Sequence, residues 1–128
     1  LSSPWAVRHG EIVWVQIQLK GRYGYNNLAI QSLLPTGFEV ENPRLANTAR
    51  WKQPDGSGTR LAADYIDIRD DRIEFFVDLP DNDRYCLYYG MRAVSPGVFQ
   101  WPAVRAWCMY APSITANSQA GQIEVRRP

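Results

Sequence analysis

Cys86 and Cys108 are the two cysteines of this 128-residue chain, and the reaction open to them is disulfide formation. Cys86 stands 11 residues before Gly97 (97 − 86) and Cys108 stands 11 after it (108 − 97). If the flanking segments pair as an antiparallel hairpin with no slip in register, the two Cβ atoms face each other at roughly 4.5–5.5 Å, slightly wide for a disulfide but adjustable. A bulge near Pro102 shifts the pairing by one and separates them. The spacing thus leaves two states open, a structural cross-strand disulfide or two buried free thiols. A reactive thioester needs glutamine three residues after cysteine. Leu87-Tyr88-Tyr89 and Met109-Tyr110-Ala111 supply none.

Other chemistry has little raw material. His9 is the only histidine, so histidine catalysis and a histidine-rich metal site are not expected, and His9 reads as a surface or strand-end residue. Asp70-Asp71 and Asp81-Asn82-Asp83 are oxygen-rich, but neither fits a twelve-residue calcium loop with its glycine and closing glutamate. Aspartate and asparagine also favour turns because they bond their own backbone. Arg69 and Arg72 bracket the first aspartate pair. They read as local partners that fix a hairpin, worth little if exposed, or as part of a charged interface. No nucleophile with a partnering base is visible, and no spacing singles out a carboxylate pair, so no catalytic residue, metal or cofactor is expected.

The elements that must position these residues are strands. From Ile12 to Lys20, Val13, Val15, Ile17 and Leu19 fall on one face and Trp14, Gln16, Gln18 and Lys20 on the other. Leu28–Leu33, Phe38–Glu41, Tyr65–Ile68, Ile73–Leu79, Arg84–Val94, Val98–Tyr110 and Gln122–Arg126 read as further strands. Leu34-Pro35-Thr36-Gly37 reads as a turn in which proline presets φ and glycine permits a positive one. Ser95-Pro96-Gly97 reads as the tip of a long hairpin, and residues 46–60 as the longest loop. Sustained helical periodicity is absent. Seven or eight strands at this turn spacing predict an all-β, two-sheet antiparallel β-sandwich of the immunoglobulin/fibronectin type, in one domain over residues 1–128.

Composition narrows the function classes. Hydrophobic residues make up 45% of the chain, enough for a core without metals. Fourteen basic and 13 acidic residues leave a net charge of +1, with no basic stripe of the kind nucleic acids require. No apolar run reaches the length of a membrane span, so membrane insertion of this segment is not expected. The start at Leu1, without a signal-peptide pattern, suggests a segment of a larger protein.

Three ordered phrases resemble the C-terminal macroglobulin-like domain of bacterial alpha-2-macroglobulin proteins. They are Leu33-Leu34-Pro35-Thr36-Gly37-Phe38-Glu39-Val40-Glu41-Asn42-Pro43-Arg44-Leu45; Asp64 to Arg72 with Phe75-Phe76-Val77-Asp78-Leu79; and Met91 to Phe99 with Pro102 and Met109-Tyr110-Ala111-Pro112. His9-Gly10-Glu11-Ile12-Val13 is similar to the first strand of that family. Ala111 departs from it, since the family usually has an acidic residue there. The resemblance implies a non-catalytic β-sandwich within a large periplasmic protease inhibitor, often lipid-anchored to the inner membrane. Its partners would be neighbouring domains of the same chain, of thioester and macroglobulin type. Target proteases would be met only through the full-length protein.

Within that picture Met109 and Tyr110 are the aromatic step expected to face a neighbour, because the resemblance includes them. Trp101, Trp107, Arg69 and Arg72 are further interface candidates, since tryptophan favours interfaces. The alternative is a carbohydrate-binding module that stacks sugar rings on Trp51, Trp14 or Trp101.

Overall fold

A computed structural model describes residues 5–20, 24–41, 59–61, 63, 65–80 and 84–127. In chain order the strands are β1 (Trp5–Arg8), β2 (Ile12–Lys20), β3 (Tyr25–Leu33), β4 (Phe38–Val40), β5 (Thr59–Arg60), β6 (Tyr65–Ile68), β7 (Arg72–Leu79), β8 (Arg84–Ala93), β9 (Gly97–Trp101), β10 (Arg105–Cys108), β11 (Ala111–Asn117) and β12 (Gly121–Arg126).

β2 pairs with β8 in an unbroken antiparallel ladder from Ile12↔Arg92 to Lys20↔Arg84. β4 and β5 share the far edge of β8, making a four-stranded sheet. A five-stranded sheet runs in the order β11-β10-β3-β7-β6. The expected stacking of these layers is present: Phe75 of β7 lies 6.2 Å from Tyr89 of β8, centroid to centroid, and Val15, Ile17, Ile30, Ile73, Val77 and Met91 bury themselves in the same cluster. Their period-two alternation is what lets each strand give one face to this interior. Full burial of a side chain such as Ile30 or Ile73 contributes about 1.5–3 kcal/mol.

A third, short sheet, β1-β12-β9, supplements the two layers and adds Ile123 and Val125 to the core. Among the described residues two pairings are parallel, β1 with β12 and β5 with β8.

The third sheet revises the expected hairpin. The chain leaves β8, turns at Ser95-Pro96-Gly97 and enters β9, which pairs with β12 instead of folding back on β8. Gly97 takes φ +142°, a backbone state that favours glycine. The continuous strand expected over Val98–Tyr110 is broken at Pro102–Val104, since proline has no N–H for a ladder. β10 then joins β3 and β11 in the five-stranded sheet.

The proposed disulfide fails for the same reason. Cys86 lies opposite Gln18 in the four-stranded sheet, and Cys108 lies opposite Leu28 in the five-stranded one. Both are buried and neither is in a disulfide. The Cys86 thiol approaches the Thr59 carbonyl at 3.7 Å.

Candidate docking surface

The β10–β11 connection is built from both of its strands and from β3. Cys108 pairs with Ala111 after a register shift at Trp107, leaving Met109 and Tyr110 as a two-residue turn. The Met109 N–H donates to the Asn27 carbonyl at 2.9 Å. Asn27 itself sits in the left-handed region at φ 59°, within the irregularity of β3 between Tyr25 and Leu28. Asparagine tolerates that state better than most residues. The Asn27 N–H is held by the Asp78 carboxylate at 2.8 Å. A bulged strand thus fixes the root of the turn, and Tyr110 projects from it 84% exposed, with Met109 38% exposed beside it.

The other expected interface residues do not join this turn. Arg69 and Arg72 belong to the β6–β7 turn, closed by the Arg69 N–H donating to the Arg72 carbonyl at 2.9 Å. Leu28, near Met109, sits opposite Val77, whereas Arg72 sits opposite Leu33 at the other end of the sheet. Each arginine pairs next door: Arg69 with Asp67 at 3.2 Å and Arg72 with Asp71 at 3.1 Å. The Arg72 hydrogen bond holds the Asp71 carboxyl below its ordinary range, and Asp71 in turn raises Arg72. Exposed pairs of this kind contribute little to stability.

Trp107 lies half-buried on the outer face of the five-stranded sheet, with the Arg105 guanidinium 5.9 Å from its ring. Trp101 is half-buried in the third sheet, edge-on to Trp5 at 5.6 Å and 88°. It also lowers the pKa of the Tyr89 hydroxyl, against the upward push of burial. Trp14 lies half-buried over Gly90, where an added Cβ would meet its ring at 3.0 Å. Trp51, the remaining candidate for sugar stacking, falls outside the described residues, as do Asp81–Asp83. His9 is exposed at the β1–β2 turn, its Nε2 3.0 Å from the Val94 carbonyl. Among the described residues no three His, Cys, Asp or Glu side chains converge as metal ligands would.

One feature escaped the sequence reading. A cleft of about 620 Å³ is lined by β2 residues from Trp14 to Leu19 and by Asn117–Gln122, with Trp5 and Trp101 also on its lining. No residue pattern marked it, because its lining comes from segments far apart in the sequence.

Comparison with known proteins locates this surface in a family. The family model described as the bacterial alpha-2-macroglobulin MG10 domain matches residues 1–113. The alpha-2-macroglobulin of Escherichia coli (strain K12) is 32% identical over 131 aligned residues, covering 96% of this chain and 8% of that protein. That of Xylella fastidiosa (strain Temecula1) is 29% identical over 124, covering 91% and 8%. Among solved structures, Salmonella alpha-2-macroglobulin reacted with methylamine superposes with a TM-score of 0.80 at 28% identity, covering 99% of this chain and 8% of that one. The native conformation of the E. coli protein gives 0.81 at 31%, covering 98% and 8%. The chain therefore spans about 8% of the length of these relatives, in which it aligns with one domain among others. It belongs to the bacterial alpha-2-macroglobulin MG10 domain family.

Proposed function

We propose that this domain is a non-catalytic docking element of a bacterial alpha-2-macroglobulin-like protease inhibitor, and that it stabilises the native, uncleaved state by presenting the Met109–Tyr110 turn to a neighbouring domain. The observation that carries this is the exposure of Tyr110, 84%, on a turn whose root is fixed by Asn27 and Asp78. A large aromatic ring held out on a rigid base loses little conformational entropy when a partner covers it, which is the character of an interface anchor. The partner is another domain of the same polypeptide, a thioester-type or macroglobulin-like one. Proteases are engaged by the whole protein, in a periplasmic setting with the parent lipid-anchored to the inner membrane. The domain itself turns nothing over.

The test is Tyr110→Ala in the full-length parent, compared with Tyr110→Phe. The expected result is that the alanine variant shifts toward the compact, protease-activated mobility on native gels without protease, while the phenylalanine variant keeps the native mobility. Unchanged mobility of Tyr110→Ala would count against the docking role.

A further inference from the structure

We propose that the open edge of β2 is completed in the parent protein by an extended, uncharged segment from another domain of the same polypeptide, added as an extra strand. The inference rests on the reading of this chain as one domain of a larger inhibitor, but not on the role given to Tyr110.

β2 is the edge strand of its sheet and pairs only with β8 among the described residues. Its ladder phase follows from one bond: the Ala93 N–H donates to the Glu11 carbonyl at 3.0 Å. Backbone groups in an antiparallel pair point alternately toward and away from the partner. Glu11 and the odd-numbered residues after it therefore face β8. The N–H and C=O of Gln16 and Gln18 point the other way, with no backbone partner among the described residues. Two such residues, spaced by two, match the repeat of an added strand.

These groups open into the cleft along β2. Its lining takes residues from both faces of the strand, Val15 and Ile17 with Gln16 and Gln18, so it is the edge, and not one face, that borders the space. Val104 and Ala106, both part-exposed, add apolar lining. The surface is suited to an extended peptide bound by main-chain hydrogen bonds, with alternate side chains meeting apolar ground.

The source follows from the sequence of the edge. Ile12 to Leu19 contains no charge and no proline. Proteins normally blunt an exposed edge with one or the other, because a long, uncharged edge recruits foreign strands. Cover must therefore be standing and not transient, which a segment of the same chain supplies through its high effective concentration. Asn117–Gln122 of this chain also line the cleft, and its lining carries no charged side chain, which suits an uncharged segment.

Amide hydrogen exchange at Gln16 and Gln18 tests this. Both amides should exchange readily in the 128-residue chain, and on the order of 100-fold more slowly in the full-length parent. In the parent, Gln16→Pro should restore fast exchange at Gln18, whereas Gln16→Ala, which keeps the backbone donor, should not. Proline is tolerated where an edge N–H faces outward. If Gln16→Pro fails to fold by circular dichroism, Gln18→Pro read at Gln16 answers the same question. Equal exchange in the short chain and the parent overturns the proposal, as does protection of Gln18 that survives Gln16→Pro. Protection in the short chain that grows with its concentration assigns the edge to a second copy and overturns it too. Tyr110→Ala should leave the protection in place, so this test and the docking test fail independently.

Discussion

The hydroxyl of Ser32 lies 2.7 Å from the hydroxyl of Tyr89 in the interior, a polar contact between the five-stranded sheet and the four-stranded one within an otherwise apolar core. Ser32 is the one buried polar side chain recorded among the described residues, and both residues are 0% exposed. The Trp101 indole, from the third sheet, lowers the pKa of the same phenol.

Tyr89→Phe leaves the buried serine hydroxyl without its partner, and a loss of about 1–3 kcal/mol is expected. Ser32→Ala leaves the buried phenol without this bond, and a loss in the same range is expected. The double variant should cost less than the sum of the singles, because the two hydroxyls interact. Urea unfolding of the four chains measures this; strict additivity would mean the hydroxyls do not interact.

Alkaline pH should act through the same group. Burial pushes the Tyr89 phenol up to about 12, against the lowering effects of Ser32 and Trp101. Its ordinary value, and that of the unfolded chain, is about 10. Between these values the unfolded chain releases a proton that the folded chain keeps, so stability falls as pH rises. The contribution is complete below pH about 10 and is lost as pH climbs to about 12, on the order of 2–3 kcal/mol. Tyrosinate absorbance should show one phenol titrating only with unfolding. Tyr89→Phe should flatten the stability profile across that window, and a profile with the wild-type slope would refute the assignment.

Gly37 answers to space and not to backbone freedom. The turn chemistry of Leu34–Gly37 suggests a positive φ at the glycine, yet among the described residues the positive-φ glycines are Gly10 and Gly97. A Cβ on Gly37 would instead overlap the Phe99 ring. Gly37→Ala should therefore cost about 1–3 kcal/mol by overpacking. In a Phe99→Ala background the same substitution should cost much less. Thermal melts of the three variants decide it, and an equal cost in both backgrounds would remove Phe99 as the cause.

The residues show why some of the fold was legible and some was not. The alternation of Ile12–Lys20 gave β2 to the residue, because a half-buried strand writes its two faces into every second position. β6 and β8 followed within a residue from the same signal. β11 was missed: Ala111–Asn117 carries Pro112 and polar residues, which an edge strand tolerates and a pattern search rejects. β5, at two residues, is too short to show a period, and β1, Trp5-Ala6-Val7-Arg8, does not alternate polar with apolar residues. Partner choice was illegible in principle. Val98–Trp101 has the composition of a hairpin strand whether it returns to β8 or crosses to β12, and only tertiary packing selects β12. The interface residues inherited that limit. Met109 and Tyr110 share a turn by adjacency, whereas Trp101, Trp107 and the two arginines were scattered by topology that no spacing encodes.

The separation of the cysteines has a direct readout. Cys86 in β8 is 0% exposed and Cys108 in β10 is 6% exposed, in different sheets. Ellman titration of denatured, non-reduced protein should return two thiols per chain. The native protein should react slowly, through opening of the sheets, because a buried thiol is shielded from the reagent. Fewer than two thiols after denaturation without reductant would contradict the placement of the two residues.

Tyr110 separates stability from docking. With 84% of its surface exposed, its ring contributes little to this domain's own core. In the 128-residue chain Tyr110→Ala should shift the unfolding free energy by no more than about 0.5 kcal/mol, the range of surface substitutions. Asn27→Ala should behave differently. Asn27 occupies φ 59°, and its carbonyl receives the Met109 N–H, so a residue less tolerant of that state strains the base of the turn. A cost of about 1 kcal/mol is expected for the left-handed state, and Asn27→Gly should be nearly neutral in the folded state. If Tyr110→Ala destabilises the short chain as much as Asn27→Ala does, the ring is packing within the domain, and the native-gel shift expected of the full-length variant would then report unfolding in place of lost contact with a neighbour.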